Sequence, residues 1–298
     1  MAGNSIPKSR PKLACEIAAD RVLAGRVSER GGALDMSAST ELAPGIVVPD
    51  LMEGNLRERT AIFQTIRDTL DSVGGRSRDV IAVLPDTAVR VVLLDFETLP
   101  PKRDEVEAVV RFRLKKSLPF DLEKAKVSYH AQPAPGGVRV IAAVALTSIV
   151  EDYENAFREA GYTPGIVMPS MLAALGAASS ERPTMIIKVD ARTTSIAILD
   201  QNQLLLFRTL ENARGITISG DQLAEEVYPS IVFFQDTYSL NIQRIFLAGL
   251  PESTSAAAAL RAQTEAEVRE LVSAGQLGTE NGTVPKWRMA GVVGALLS

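Results

Sequence analysis

Near its start the chain reads LACEI-AADR-VLAGRV over residues 13–27, which is the pattern of an apolar strand, a polar turn and a second strand. The same order recurs in the second half, as a strand at 185–189, a turn at 190–194 and strands at 195–199 and 204–210. In each half a helix follows (56–73 and 221–238), and then another strand (80–84 and 245–247). This twofold recurrence predicts an α/β protein of two lobes with a cleft between them.

A polar stretch at 179–183 separates the two halves. We therefore predict lobe one at 1–180 and lobe two at 181–298. Less regular patterns predict further elements: a third strand at 46–48, a short helix at 168–178, and helices that begin at Ser255 and at Thr264.

The composition excludes several classes of function. The chain has 298 residues, of which 46% are hydrophobic, and a formal charge of -4. Such a mildly acidic chain lacks the strongly basic face of a nucleic-acid binder. One cysteine and one histidine exclude a disulfide framework and a Cys/His zinc site, which takes about four such ligands. A catalytic triad would depend on His130 alone, and the sequence nominates no partner for it.

The location of the protein is predicted from its apolar segments. No segment approaches the ~20 continuous apolar residues that span a bilayer. Leu13-Ala14-Cys15 resembles the end of a lipoprotein cleavage site, but the preceding residues 4–12 are polar and basic rather than apolar. We therefore expect Cys15 to be a buried strand residue and the protein to be cytoplasmic.

The two polar turns are candidate phosphate-binding elements. Backbone N–H groups in such turns can hold a phosphate, and a nearby carboxylate can organise a metal ion. Glu16 precedes the first turn and Asp190 begins the second. Close approach of backbone to phosphate usually requires glycine, whereas Ala18 and Arg192 follow these carboxylates. Ordinary hairpin turns give the same pattern without a ligand, so both interpretations stay open.

Two other motifs also have two interpretations each. Ala248-Gly249-Leu250-Pro251 fits a loop against an adenine ring, but we favour a strand-to-helix turn in which Ser253 or Thr254 caps the helix. Leu118-Pro119-Phe120 follows a basic amphipathic helix at 102–116. It is either a helix stop with packed apolar residues or one wall of an apolar groove for a short peptide strand, and the two can hold together.

The most specific motifs lie between 80 and 120. They are Val-Leu-Pro at 83–85, LPPKRDEVEAVVRF at 99–112 and Leu-Pro-Phe at 118–120. These motifs resemble the PilM family of type IV pilus assembly proteins. The resemblance implies a two-lobed actin-like (ribonuclease H-like) α/β fold, related to that of FtsA and of the cytoplasmic part of GspL. It also implies a small subdomain inserted into lobe one at about 86–147, and a last helix, 287–297, that packs back on lobe one.

The resemblance also implies a partner. In that family the N-terminal cytoplasmic tail of PilN, an inner-membrane protein, lies in a groove between the insert and the first sheet. A protein of this kind is an adaptor of a pilus or related secretion complex and is recruited to the inner membrane face. The candidate residues for the groove wall are Leu84, Leu99, Pro100, Arg111, Phe112, Leu118, Pro119 and Phe120.

Finally, the resemblance predicts a degenerate nucleotide cleft. The family's two phosphate turns carry Asp-Ile-Gly, and in their places this chain has EIA at 16–18 and DAR at 190–192. The candidate cleft residues are Glu16, Ala18, Asp190, Arg192, Thr193, Thr194, Gly215 and Gly249, with Asp190 as the metal ligand if Mg-ATP binds. Because side chains occupy the space that phosphates need, we predict no cofactor and no enzymatic activity. The alternative is an ATP-binding protein or slow ATPase of the actin-like and sugar-kinase superfamily.

Overall fold

The computed structural model of the chain describes residues 10–28, 32–278 and 284–298, so most of the basic start of the chain lies outside the described residues. Its strands are, in chain order, β1 (Leu13–Ile17), β2 (Arg21–Val27), β3 (Leu34–Glu41), β4 (Asp79–Leu84), β5 (Arg90–Phe96), β6 (Ala125–Ala134), β7 (Gly137–Leu146), β8 (Thr163–Pro169), β9 (Thr184–Val189), β10 (Thr193–Asp200), β11 (Gln203–Glu211), β12 (Arg244–Ala248) and β13 (Glu267–Glu270). Its α-helices are α1 (Arg59–Val73), α2 (Arg103–Leu114), α3 (Thr147–Glu159), α4 (Ser170–Ala174), α5 (Gly220–Tyr238), α6 (Ser253–Thr264) and α7 (Ala290–Leu297).

Two five-stranded sheets share one topology. Their strand orders are β3-β2-β1-β4-β8 and β11-β10-β9-β12-β13. In each sheet the central strand, β1 or β9, pairs antiparallel with the next strand of the chain and parallel with a later one. The twofold recurrence predicted from the sequence is therefore confirmed.

Helices cover the outer face of each sheet, and an apolar core lies between the helices and the strands. On the first sheet, Ile62, Ile66 and Leu70 of α1 follow helical spacing and pack with Phe157 of α3. On the second sheet, α5 and α6 supply the apolar side chains that pack against the strands. Cys15 lies in the first of these cores and is buried in β1, as predicted.

The last helix, α7, closes the seam between the sheets. Its sequence AGVVGALL is apolar all round, and its first seven residues are buried. It packs against α4 so closely that a Cβ on Gly294 would lie 2.1 Å from the carbonyl oxygen of Ala173. It also contacts β1, β2 and β4 of the first sheet. Around it, Ala14 of the first sheet and Ile186 of the second belong to one apolar core, so the seam beneath the cleft is continuous.

Between β4 and α3 the chain forms a separate small unit, which we call the insert. It is a three-stranded sheet in the order β5-β7-β6 with α2 on one face. On its other side, Gln132 of β6 binds β11 at two points: its amide donates to the Leu204 carbonyl oxygen at 2.9 Å and accepts from the Leu204 N–H at 3.1 Å. Arg139 of β7 donates to Tyr238 at 2.8 Å and pairs with Asp95. The insert is thereby attached to the second sheet as well as to the first.

Three predicted elements are wrong, for identifiable reasons. The third strand is Leu34–Glu41 rather than 46–48, because a half-exposed strand beside β2 tolerates the polar sequence LDMSASTE. The strand β8 (Thr163–Pro169) occupies the start of the predicted helix at 168–178, whose helical part is short. No helix begins at Thr264; instead α6 ends there and Glu267–Glu270 pairs with β12 as an edge strand. Within the described ranges, the helices are all too short or too polar to cross a membrane.

Candidate functional site

A cavity of about 870 Å³ opens where the two sheets meet the insert. It is lined by both hairpin turns, by the loop 48–51, by the connection 85–91 into β5, and by residues 207–213 at the end of β11. Its volume is in the range of about 300–1,000 Å³ that is usual for ligand sites. The cavity thus combines the predicted nucleotide cleft with a groove beside the insert.

Both hairpin turns are closed by their own backbone hydrogen bonds. The Ala18 N–H donates to the Arg21 carbonyl oxygen at 2.9 Å, and the Asp190 N–H donates to the Thr193 carbonyl oxygen at 2.8 Å. These two N–H groups are therefore satisfied within the turns and do not point freely into the cavity.

Five charged side chains lie together at the bottom of the cleft, and we call them the cleft cluster: Glu16, Asp86 and Asp190, which line the cavity, and the buried Arg21 and Lys188. Strand alternation explains two of them, because Glu16 shares the inner face of β1 with Ala14, and Lys188 shares the inner face of β9 with Ile186. Lys188 Nζ hydrogen-bonds Asp190 and lies 3.6 Å from Glu16 Oε1. Arg21 lies 3.5 Å from Asp190 Oδ1.

The electrostatics keep Lys188 and Asp190 ionised. Burial alone would lower the pKa of Lys188, but the carboxylates of Asp190, Glu16 and Asp86 raise that pKa above its usual range. Burial alone would raise the pKa of Asp190, but Lys188 and Arg21 hold that pKa below its usual value. These groups carry their charges at neutral pH because their partners lie close by.

Asp86 titrates closer to neutral pH than an ordinary aspartate does. Burial raises the pKa of Asp86 to about 6; nearby Asp190 adds to this, while Lys188 opposes it. The carboxylate accepts hydrogen bonds from the Met171 N–H at 2.7 Å and from Ser195 Oγ at 2.8 Å. Since Ser195 belongs to β10, Asp86 links the first sheet to the second.

Two predicted cleft residues are glycines with a local structural reason. Gly249 has a φ of +82°, and a Cβ there would lie 1.7 Å from the Val189 carbonyl oxygen. Gly215 has a φ of +52°, and its Cβ would lie 2.4 Å from the Ala191 carbonyl oxygen. Gly249 belongs to the strand-to-helix turn predicted from the sequence, but the helix it leads to has Glu252 at its N-cap and no side-chain capping bond, so the predicted cap is wrong.

The remaining predicted cleft residues differ in their exposure. Thr194 is buried, and its hydroxyl accepts a hydrogen bond from the Asn212 side chain at 3.0 Å. Thr193 is also buried and lines the cavity, as does Ala18. Arg192 is exposed and lines the rim of the cavity.

These residues do not fit a magnesium nucleotide as they are placed. The carboxylate of Asp190, the predicted metal ligand, is held by Lys188 and Arg21. The ion pairs between Lys188 and Glu16 and between Arg21 and Asp190 join the two sheets next to the turns. A magnesium ion would have to displace these cations from Asp190, and a triphosphate would gain no free glycine N–H in the two turns in return.

The predicted groove wall is divided by the structure. Leu84 is 1% exposed and belongs to the core of the first sheet, so it does not form part of a groove wall. Leu99, Leu118 and Phe120 pack against the core of the insert. In contrast, Phe112 is 68% exposed on α2. Of the other three, Pro100 and Arg111 are half-buried and Pro119 is exposed; Arg111 binds Glu107 and the Leu122 carbonyl oxygen.

Sequence reasoning missed Arg21, Asp86 and Lys188 as site residues. A signal was present for Lys188, since a lysine inside the apolar strand MIIKV must find an anionic partner or an exit to solvent. Asp86 likewise follows the apolar strand β4 at its carboxyl end. His130 lies exposed on β6.

Comparisons with known proteins agree with this architecture. The family described as type IV pilus assembly protein PilM matches residues 16–230. A solved structure of the PilM-PilN type IV pilus biogenesis complex is similar with a TM-score of 0.78 and 21% identity, over 97% of this chain and 98% of that chain.

More distant structures share the same fold. The cytoplasmic domain of EpsL, an inner membrane component of the type II secretion system of Vibrio cholerae, gives a TM-score of 0.55 at 10% identity, over 96% of this chain and 94% of that one. The ethanolamine utilization protein EutJ from Carboxydothermus hydrogenoformans gives 0.54 at 9% identity, over 98% and 91%. No curated protein matches the sequence. The structural matches establish the actin-like fold.

Proposed function

This chain belongs to the PilM family of type IV pilus assembly proteins, and from that premise we propose that it is an adaptor that binds the N-terminal cytoplasmic tail of a PilN-like inner-membrane protein. The similar solved complex contains PilM and PilN together, which supports a partner of this kind. In this arrangement the chain lies on the cytoplasmic side, and the membrane anchor of its partner recruits it to the inner membrane.

The observation that carries the proposal is the pair of strand edges beside the cavity. Within the described ranges, β5 pairs with β7 alone and β11 with β10 alone. Both strands line the cavity, β5 through Arg90 and Val91 and β11 through residues 207–211. An extended peptide binds such an edge by main-chain hydrogen bonds, while the surrounding pockets select its side chains.

One end of β11 is fixed to the insert. There, Gln132 of β6 binds Leu204 at two points, and Arg139 of β7 donates to the Leu205 carbonyl oxygen at 3.4 Å. The other end of β11 lines the cavity. Because the insert and the second sheet are already joined, binding of a tail in the cavity requires little new order, which favours it.

Polar and apolar side chains share the lining of the cavity, and the apolar ones suit apolar residues of the tail. Val48, Leu51, Val91, Phe207 and Leu210 are half-buried and face this space from the first lobe, the insert and the second lobe. Alternate side chains of an extended peptide point in opposite directions, about 3.3 Å apart along the strand. A tail with apolar residues at every second position would cover these surfaces.

Calorimetric titration with a synthetic PilN-type N-terminal peptide tests the proposal. Val91→Lys and Leu51→Glu each place a charge in the cavity lining, and we expect either to weaken binding by at least about tenfold, which corresponds to about 1.4 kcal/mol. Phe112→Glu adds a charge on the outer face of α2 and is the matched control, for which we expect unchanged affinity.

The outcomes distinguish the two possible locations of the tail. If Phe112→Glu abolishes binding while Val91→Lys does not, the tail lies on the α2 side, and the cavity is the wrong site. If folded wild-type protein gives no heat at high micromolar peptide, the adaptor function itself is rejected.

We also propose that the protein does not hydrolyse ATP. The two carboxylates that would serve an ATPase, Glu16 and Asp190, are both committed to ion pairs. We expect no phosphate release from Mg-ATP above a protein-free blank. Release that disappears in Asp190→Ala would support the slow ATPase instead.

A further inference from the structure

Two buried ion pairs cross the cleft in opposite directions. Lys188, from the second sheet, lies 3.6 Å from Glu16 Oε1 of the first sheet. Arg21, from the first sheet, lies 3.5 Å from Asp190 Oδ1, directly after the central strand of the second sheet. The side chains of Lys188, Glu16 and Arg21 are 4%, 3% and 3% exposed. Each sheet thus gives one cation and one anion to the other.

The ammonium of Lys188 occupies a place that suits a cation. The carboxylates of Asp190 and Glu16 contact it, and the carboxylate of Asp86 attracts it. Oxygen-rich groups of carboxylates are the usual surroundings of a bound magnesium or calcium ion. In this cluster the cation is a lysine side chain of the protein itself.

Further contacts strengthen the connection between the sheets. Ser195 of β10 donates to Asp86 at 2.8 Å, and Asp86 also accepts from the Met171 N–H. Ser170 of α4 donates to Glu16. Removing one member of the cluster would leave its partners as buried charges without compensation, which is strongly unfavourable.

We propose that the cleft cluster holds the two lobes together without a nucleotide, with the Lys188 ammonium serving in place of a bound divalent cation among the carboxylates of Glu16, Asp86 and Asp190. This inference goes beyond tail binding and does not depend on it.

Thermal unfolding of the full chain tests the inference. For the wild type, millimolar Mg-ATP should shift the Tm by less than about 1 °C, because a ligand that does not bind the folded state does not stabilise it. Lys188→Ala leaves three carboxylates facing one another, and we expect its Tm to fall by roughly 5–10 °C. Magnesium chloride alone should then raise the Tm of Lys188→Ala and leave that of the wild type unchanged.

Lys286→Ala is the matched control, because Lys286 forms an ion pair with Glu270 at the surface, where its side chain is 50% exposed. We expect a small change in its Tm and no response to magnesium. Equal magnesium responses in the wild type and both variants would overturn the inference, as would a Tm of Lys188→Ala within about 1 °C of the wild type.

The wild-type titration decides the question even if Lys188→Ala does not fold. A rise of several degrees with Mg-ATP would mean that the cleft accepts a nucleotide despite the cluster, and the inference would then be wrong. Peptide calorimetry on the same wild-type sample reports on tail binding separately, so the two failures are distinguishable.

Discussion

The substitution Asp86→Asn isolates the cost of a buried charge in the cleft. The asparagine side chain keeps an acceptor for the Met171 N–H, and its amide can donate to Ser195 Oγ, which then acts as acceptor. The shape and the hydrogen bonds are thereby kept, while the ionisable group is removed.

The expected size follows from the pKa of Asp86, which burial raises from 3.8 to about 6. Between these values the folded state binds more protons than the unfolded state, so this carboxyl makes the protein less stable as the pH rises. A shift of about 2 units corresponds to about 3 kcal/mol in total, and roughly half of it falls between about pH 5 and pH 7.5.

The Asp86→Asn variant does not lose this stability as the pH rises, because its side chain does not ionise. We therefore expect the free energy of unfolding of the variant, minus that of the wild type, to increase by about 1–2 kcal/mol from about pH 5 to pH 7.5. Urea denaturation at a series of pH values, followed by circular dichroism, measures this difference. Lys188 and Asp190 do not disturb the comparison, because the pKa of Lys188 is raised and that of Asp190 is lowered, both away from this window.

Asp236→Asn controls for the loss of one negative charge, since Asp236 is exposed on α5. A difference between Asp86→Asn and the wild type that stays flat or decreases with pH would refute the reasoning. It would mean that Asp86 is ionised throughout this range and that its burial is compensated.

Three further substitutions test the packing around the site by urea denaturation. Gly249→Ala should lower the free energy of unfolding by roughly 2–4 kcal/mol, because residue 249 has a positive φ and the added Cβ would meet the Val189 carbonyl oxygen. An unchanged urea midpoint would contradict this contact. Gln132→Ala should lower the free energy of unfolding by about 2–3 kcal/mol, because the N–H and C=O of Leu204 lose their partner. A decrease below about 0.5 kcal/mol would mean that water replaces the amide. Phe112→Ser should stay within about 0.5 kcal/mol of the wild type, because the ring is 68% exposed; a large loss would show that the ring is packed.

Most of the architecture was predictable because it depends on periodicity. The strands around each turn, the helix α5 and the buried strand β4 carry their pattern in a single short window. The missed strands β3 and β13 are edge strands with polar sequences, and such strands are set by the neighbour they pair with rather than by their own composition.

The site was only partly predictable, for a different physical reason. The sequence located the two turns, and it predicted that Ala18 and Arg192 would stand where glycine is expected. It did not predict that Lys188 and Arg21 would meet Glu16 and Asp190, because these pairs join residues about 170 positions apart through the packing of two sheets. The groove wall was placed around Leu118 and Phe120, whereas these side chains pack against the insert's own core, and the large cavity lies at the start of β5.

Amide hydrogen exchange of the full chain, measured alone, with the PilN-type peptide and with Mg-ATP, brings these conclusions together in one experiment. The peptide should slow amide exchange in β5 (Arg90–Phe96) and in β11 (Gln203–Glu211), whose free edges line the cavity. Mg-ATP should leave the exchange rates of both hairpin turns unchanged. Slower exchange at 18–21 and 190–193 with Mg-ATP, together with no effect of the peptide on β5 or β11, would contradict the view that this protein uses its cavity for a partner's tail and closes its cleft with its own charges.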